Sequence, residues 1–195
     1  MSTLFALPRP RARFAAGLTL LAALASPAQS QQLDLARSEL AFTTQQMGVP
    51  VDGRFRQFGA QVAFDPKQPQ AARVTFSIDL ASVAFGARET EVEAARPEWF
   101  DVKQFPQARF ESSAVKSIGP GRLEVQGQLT LKGTRAAVSV PVTLAQAGPL
   151  TTATGNFVLK RLDFRLGDGE WKDTSLVANE VQVRFKLVLS GVAPL

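Results

Sequence analysis

The chain has 195 residues, with 22 Lys and Arg against 17 Asp and Glu, and it contains neither Cys nor His. Without Cys there is no disulfide framework; without His, Ser-His-Asp and Cys-His catalysis, typical zinc sites and imidazole-ligated haem are closed to it. The basic excess is no argument for nucleic acid, because Arg9, Arg11 and Arg13 lie in a leader and the other bases are spread singly.

Those arginines precede an apolar run from Phe14 to Ala25, and Ser26-Pro27-Ala28 supplies small residues for cleavage. That order predicts a secretory signal peptide over residues 1–28 and a single exported domain over 29–195. The apolar run falls short of the roughly 20 residues that a bilayer span needs.

Taken in order, the domain reads as a succession of strands. Leu40, Phe42 and Thr44 share one face of a first strand, and Met47-Gly48-Val49-Pro50 turns the chain. Gly53 to Phe64 predicts a second strand whose phase changes between Phe55 and Phe58, which calls for a bulge near Gly59. After the turn at Asp65-Pro66, Val74, Phe76, Ile78 and Leu80 alternate with polar residues in a third strand. Thr90-Glu91-Val92-Glu93 fits a capping box, so a short helical insertion is expected to start there and stop before Pro97. Pro97 to Asp101 predicts one further turn, in the region of Trp99, Phe100, Phe105 and Phe110 where aromatics are densest.

A fourth strand is expected over Ala108 to Ser117, ending at Gly119-Pro120-Gly121. Leu123, Val125, Gly127, Leu129 and Leu131 then alternate with polar residues, and the pattern resumes beyond Lys132-Gly133 as Ala136, Val138, Val140, Val142 and Leu144. Two such runs around a Gly-containing turn predict a long hairpin, the fifth and sixth strands. Thr151 to Phe164 gives a seventh, a Gly- and Asp-rich loop from Gly167 to Asp173 carries Trp171, and Val181 to Ser190 closes the series. The fold class expected is all-β: an eight-stranded antiparallel, lipocalin-like barrel with a helical insertion between strands three and four.

An outer-membrane barrel shows the same alternation with its greasy face toward lipid. The chain has no Tyr and only two Trp, so the aromatic girdles of such barrels are missing, which favours a water-soluble barrel with an apolar interior.

Several segments together resemble the YceI family of periplasmic, lipocalin-like lipid-binding proteins. They are Met47-Gly48-Val49 with Gly53-Arg54-Phe55, Phe64-Asp65-Pro66, Trp99-Phe100-Asp101-Val102 with Phe105 to Phe110, Gly127 to Gly133, and Arg161-Leu162-Asp163-Phe164. The resemblance implies a barrel whose long cavity takes a polyisoprenoid or similar amphiphilic chain, and it implies no catalytic residues. The chain departs from the family pattern at Gln45-Gln46, where a His is frequent, at Ser82 to Gly86, and at Arg165, where Gly often follows the Asp-Phe pair.

The residues themselves support an apolar cavity, since all but Phe5 and Phe14 of the 14 Phe lie beyond the leader. Phe42, Phe55, Phe76 and Ile78 are expected to line it from the first three strands, and Phe85, Trp99, Phe100 and Phe105 from the interruption. Phe110, Leu129, Phe157, Leu159, Phe164 and Phe185 complete the expected lining. Arg161, Asp163 and Trp171 are expected to meet a polar head group such as a phosphate or a quinone carbonyl. Glu91, Glu93 and Glu98 read as a solvated helix face rather than as glycosidase carboxylates.

The function expected is thus a non-enzymatic periplasmic carrier for an isoprenoid-type lipid, with no metal and no cofactor beyond that lipid. A second hypothesis is a filled barrel that serves a membrane redox partner through protein contacts. A third is an enzyme using carboxylates on a hydrophobic substrate. The oligomeric state is left open, a dimer included.

Overall fold

A computed structural model describes residues 31–195; the expected signal peptide lies outside these. The strands are β1 (Gln32–Leu33), β2 (Glu39–Gln46), β3 (Val49–Phe55), β4 (Phe58–Ala63), β5 (Arg73–Asp79) and β6 (Val83–Ala84). The one α-helix among the described residues, α1 (Arg88–Ala94), separates them from β7 (Gln107–Gly119), β8 (Arg122–Leu131), β9 (Thr134–Ala147), β10 (Leu150–Lys160) and β11 (Glu180–Ser190). All pair antiparallel in one sheet of order β4-β5-β7-β8-β9-β10-β11-β2-β3-β6, with β1 beside β11. The sheet curls into a half-barrel. Its ladder has free ends at β4 and β6, and the Gln31 carboxamide ties β1 to the far end of β4 through Phe64 O at 2.6 Å and Phe64 N–H at 3.1 Å.

Eleven strands replace the eight expected, for two physical reasons. β1 and β6 are two-residue pairings too short to show a period. The expected second strand is cut in two at Arg56–Gln57, whose backbone N–H groups donate to Ser82 O and Ser82 Oγ instead of to a neighbouring ladder. That break, not a bulge at Gly59, causes the change of phase: Gly59 sits in regular register opposite Ser77.

Elsewhere alternation decides the outcome. β8 alternates residue by residue between buried and half-buried, with Leu123, Val125, Gly127, Leu129 and Leu131 inward. The β8–β9 turn places both Lys132 (φ 47°) and Gly133 (φ 73°) in the left-handed region, as a two-residue hairpin of matching twist requires. The helix begins two residues before the expected capping box: Ala87 precedes it without a side-chain cap, and Glu91 instead accepts the Phe85 N–H at 3.2 Å. It ends before Pro97, as expected. The seventh strand stops at Lys160, and Arg161–Phe164 winds into a 3₁₀ turn closed by Arg165 in the left-handed region at φ 57°.

Candidate functional site

The inward residues of the long strands do not meet in the middle. They surround a hollow of about 390 Å³ whose wall is almost wholly aliphatic and aromatic. Phe76, Phe110, Phe157 and Phe185 point inward yet are only half-buried, because their faces look into this space. Lining residues run along β8 from Leu123 to Leu131, about 27 Å along the strand and about 20 Å along the axis at the usual tilt.

Three glycines keep the bore open. Phe42 is paired with Gly53, and Phe185 with Gly155, across neighbouring strands. A Cβ on Gly53 would stand 2.7 and 2.8 Å from Phe42 ring carbons, and one on Gly155 would stand 2.5 Å from the Phe185 ring. Gly127 likewise lies under the Phe110 ring, 2.5 Å from where a Cβ would be. Each ring therefore lies flat on a bare stretch of backbone instead of projecting across the lumen.

Of the expected lining, Phe42, Phe55, Phe76, Ile78, Phe85 and Trp99 face the hollow, as do Phe100, Phe110, Leu129, Phe157, Leu159 and Phe185. Phe105 and Phe164 do not. Phe105 packs on Gly133 outside the wall, 2.8 Å from where a Cβ would stand, and Phe164 is buried in the cluster with Leu80 and Leu166. Asp163 is exposed on its 3₁₀ turn, away from the hollow, whereas Arg161 and Trp171 line it.

Arg161 is 2% exposed and is held entirely by backbone. Its Nε donates to Ala178 O at 3.0 Å, one terminal nitrogen to Leu166 O (2.7 Å) and Gly167 O (3.4 Å), the other to Trp171 O (2.6 Å) and Val177 O (2.7 Å). Those bonds use all five guanidinium N–H groups, so none is free for a head group. Burial pulls its pKa below the ordinary value, and its guanidinium lies 5.8 Å from the Trp99 ring centre. Its role is to fasten the 161–178 loop over one end of the hollow.

Lys132 does the same from the β8–β9 turn. Its buried ammonium donates to Arg165 O at 2.7 Å and Glu98 O at 3.2 Å, and desolvation lowers its pKa despite Asp168 at 3.9 Å. The Glu98 carbonyl also accepts Gly167 N–H at 2.8 Å and Asp168 N–H at 3.0 Å. The Trp99–Phe100 segment is thus bolted to the 166–168 loop, with Trp99 and Trp171 5.7 Å apart.

The polar side chains in the wall are unevenly placed. Thr44 and Gln46 at the end of β2, Thr90 and Glu93 on α1, and Arg161 gather at the helix end. At the opposite end Thr151 lines the wall, its hydroxyl accepting from Gln146 at 3.1 Å. Sequence parity puts Thr44 inward and, carried one step further along β2, Gln46 as well; nothing in the sequence marked Thr90, and Glu93, expected on a solvated helix face, lines the wall instead. Among the described residues Glu93 is the one carboxylate in the wall, so glycosidase-type chemistry finds no pair there.

A YceI-like domain model matches residues 31–189. This chain belongs to the YceI family. Among the solved structures similar to it is that of Burkholderia cenocepacia BcnA, 45% identical, with a TM-score of 0.78 over 80% of this chain and 98% of that one. A polyisoprenoid-binding domain from Saccharophagus degradans, implicated in plant cell wall breakdown, shares the fold at 18% identity and a TM-score of 0.68, covering 85% of this chain and 99% of its own. A UPF0312 protein of Pseudomonas putida is 32% identical over 98 residues, 50% of this chain and 51% of the relative. The YceI chain thus spans about half the length of that curated relative.

Proposed function

We propose that this protein is a non-enzymatic periplasmic carrier that shelters an isoprenoid-type lipid tail from water. The observation that carries this reading is the continuous apolar hollow, with its polar side chains concentrated at one end. Such a space suits an amphiphile threaded lengthwise, tail toward Leu123 and Leu144, head toward α1. Burial of the tail contributes about 25 cal/mol per Å² of apolar surface, so affinity needs no charged partner. The lumen length of about 20 Å takes a long hydrocarbon chain lying extended along the axis. The binding named for the Saccharophagus degradans domain points the same way. The hollow supports the carrier over the filled barrel acting only through protein contacts.

The test is extraction. Protein purified without detergent and extracted with organic solvent is expected to yield a long-chain lipid in stoichiometric amount by mass spectrometry. An empty extract together with no uptake of added polyprenol would overturn the reading. Phe157→Lys or Phe76→Glu, provided the variant still folds, is expected to abolish retention; wild-type retention would show that these rings lie outside the site.

A further inference from the structure

The β2–β3 hairpin turns at Met47-Gly48, with Gln46 opposite Val49, and both turn residues are left-handed, at φ 49° and 78°. A two-residue turn of this kind favours Asn-Gly or Asp-Gly, because the left-handed conformation strains most other side chains. Here it carries a methionine that is 69% exposed. Val49, 63% exposed, lies one step past Val51 on the lining face of β3, beyond the edge of the hollow. Leu176, 38% exposed, adjoins the same turn: its carbonyl accepts the Met47 N–H at 2.8 Å, and Gln46 pairs with Val177. Lone exposed apolar residues are ordinary. Three at one tip, on a strained turn at the mouth of an apolar hollow, call for a reason.

The tip is also braced. The Ala178 N–H donates to Gln45 O at 2.9 Å, and Arg161 grips Ala178 O and Val177 O from within, so the backbone holds the three side chains outward. Nor is the tip charged. Residues 41–51 and 174–179 contain no Asp, Glu, Lys or Arg, and the polar side chains flanking the tip, Gln45, Gln46 and Thr174 among them, are neutral.

Resting on the lipid-carrier reading, we propose that Met47, Val49 and Leu176 form a docking tip that enters the surface of a lipid bilayer and sets the mouth of the hollow against it, where cargo crosses. The occupant is a membrane rather than a protein. Three side chains fall well short of the roughly 800 Å² that each partner buries in a stable protein interface. Binding to a bilayer surface scales with whatever apolar area is inserted, together with any attraction between cations and anionic lipids. With no cation at the tip, the attraction is apolar and indifferent to salt. A contact this small is also brief, as a carrier that must leave with its cargo requires.

The experiment is cosedimentation of the purified protein with phosphatidylcholine vesicles at low and high salt, with binding expected to be equal at both. Met47→Asn gives the turn its favoured Asn-Gly pair, so it is expected to raise Tm and yet to lower vesicle binding about tenfold. Leu176→Ser is expected to lower vesicle binding as well. Neither residue lines the hollow, so the lipid extracted from both variants is expected to match wild type. Ile118→Asn alters an exposed apolar residue beside the β7–β8 turn, at the opposite end, and is expected to bind vesicles normally. Wild-type protein left in the supernatant, undiminished binding of Met47→Asn, or an equal loss in Ile118→Asn would each overturn the tip. Binding that needs phosphatidylglycerol and disappears in salt would do the same. Sedimentation velocity without vesicles supplies the last outcome: a dimer that Met47→Asn dissociates would make the tip a contact between copies of this chain instead. None of these results touches the carrier reading, which falls only if the extracts are empty and added polyprenol is not taken up.

Discussion

Gly53→Ala tests the bore of the hollow without changing its chemistry. The new methyl would lie 2.7 and 2.8 Å from carbons of the Phe42 ring, and the nearest atoms to it are all in that ring, not in backbone. The ring therefore has to give way. Phe55 and Phe85 flank it with centroids at 5.6 and 5.5 Å, so the free direction is into the lumen. A ring held in place would cost about 1–3 kcal/mol in overpacking. A ring that swings inward instead displaces roughly one or two methylenes of ligand, about 0.8–1.6 kcal/mol, or about four- to fifteenfold in Kd. The assay is displacement of a fluorescent prenyl probe, with thermal melts of the ligand-free protein alongside. Adding Phe42→Ala to Gly53→Ala removes the obstructing ring and is expected to recover most of the lost affinity. Wild-type affinity in Gly53→Ala, or an equal loss with and without Phe42, would refute the idea that glycine seats hold the lumen open.

Three further outcomes concern the frame around the site. Arg161→Met leaves five backbone carbonyls without their donor and is expected to cost about 3–5 kcal/mol, a fall in Tm of about 6–20 °C. Arg161→Lys is expected to restore only part of this, since three donors on one nitrogen cannot reach five diverging oxygens; full restoration in thermal melts would show that charge alone matters. Arg165→Gly relieves a left-handed φ of 57° and is expected to raise stability by about 1 kcal/mol in urea melts, a gain that any destabilisation would contradict. The Asp173 carboxylate accepts the Ser175 hydroxyl at 2.7 Å and the Ser175 amide at 2.8 Å, bonds that hold its pKa below the ordinary value. Its contribution is complete above about pH 4 and is lost as pH falls through the lowered folded value; Ser175→Ala is therefore expected to flatten the acid-side slope of stability, and an unchanged slope would count against the linkage.

Much of this molecule is legible in its sequence where one face of a strand is buried and the other is wet. The run from Leu123 to Leu144 shows this most plainly: the inward parity, the Lys132-Gly133 turn and most of the lining follow from alternation alone. What alternation cannot reach are decisions made by distant backbone. The break at Arg56–Gln57 exists because Ser82 takes over their hydrogen bonds. Arg161 reads as one face of a strand, yet carbonyls at positions 166, 167, 171, 177 and 178 draw it into a 3₁₀ turn and use up its donors. Nor does composition distinguish a ring facing the lumen from one inside the wall. Phe105 and Phe164 are as aromatic as Phe110 and Phe157, and only their packing on Gly133 and beside Leu166 separates them.

The same physics explains why the hollow survives. Interiors close up wherever side chains can reach one another, because every unfilled gap forfeits dispersion contacts. Here the large rings are held on their own wall by Gly53, Gly127 and Gly155, and the end segments are held by Arg161 and Lys132 through backbone carbonyls that belong to no strand ladder. Collapse would have to lift a ring off its glycine or strip a buried cation of its acceptors. Stability is thereby placed in the wall and in the fastening of one end, and the apolar contacts missing from the middle are left for a guest to supply. Binding energy in such a design comes from contacts that folding has left unmade, so a ligand that fills the lumen is expected to raise Tm with its concentration as mass action requires.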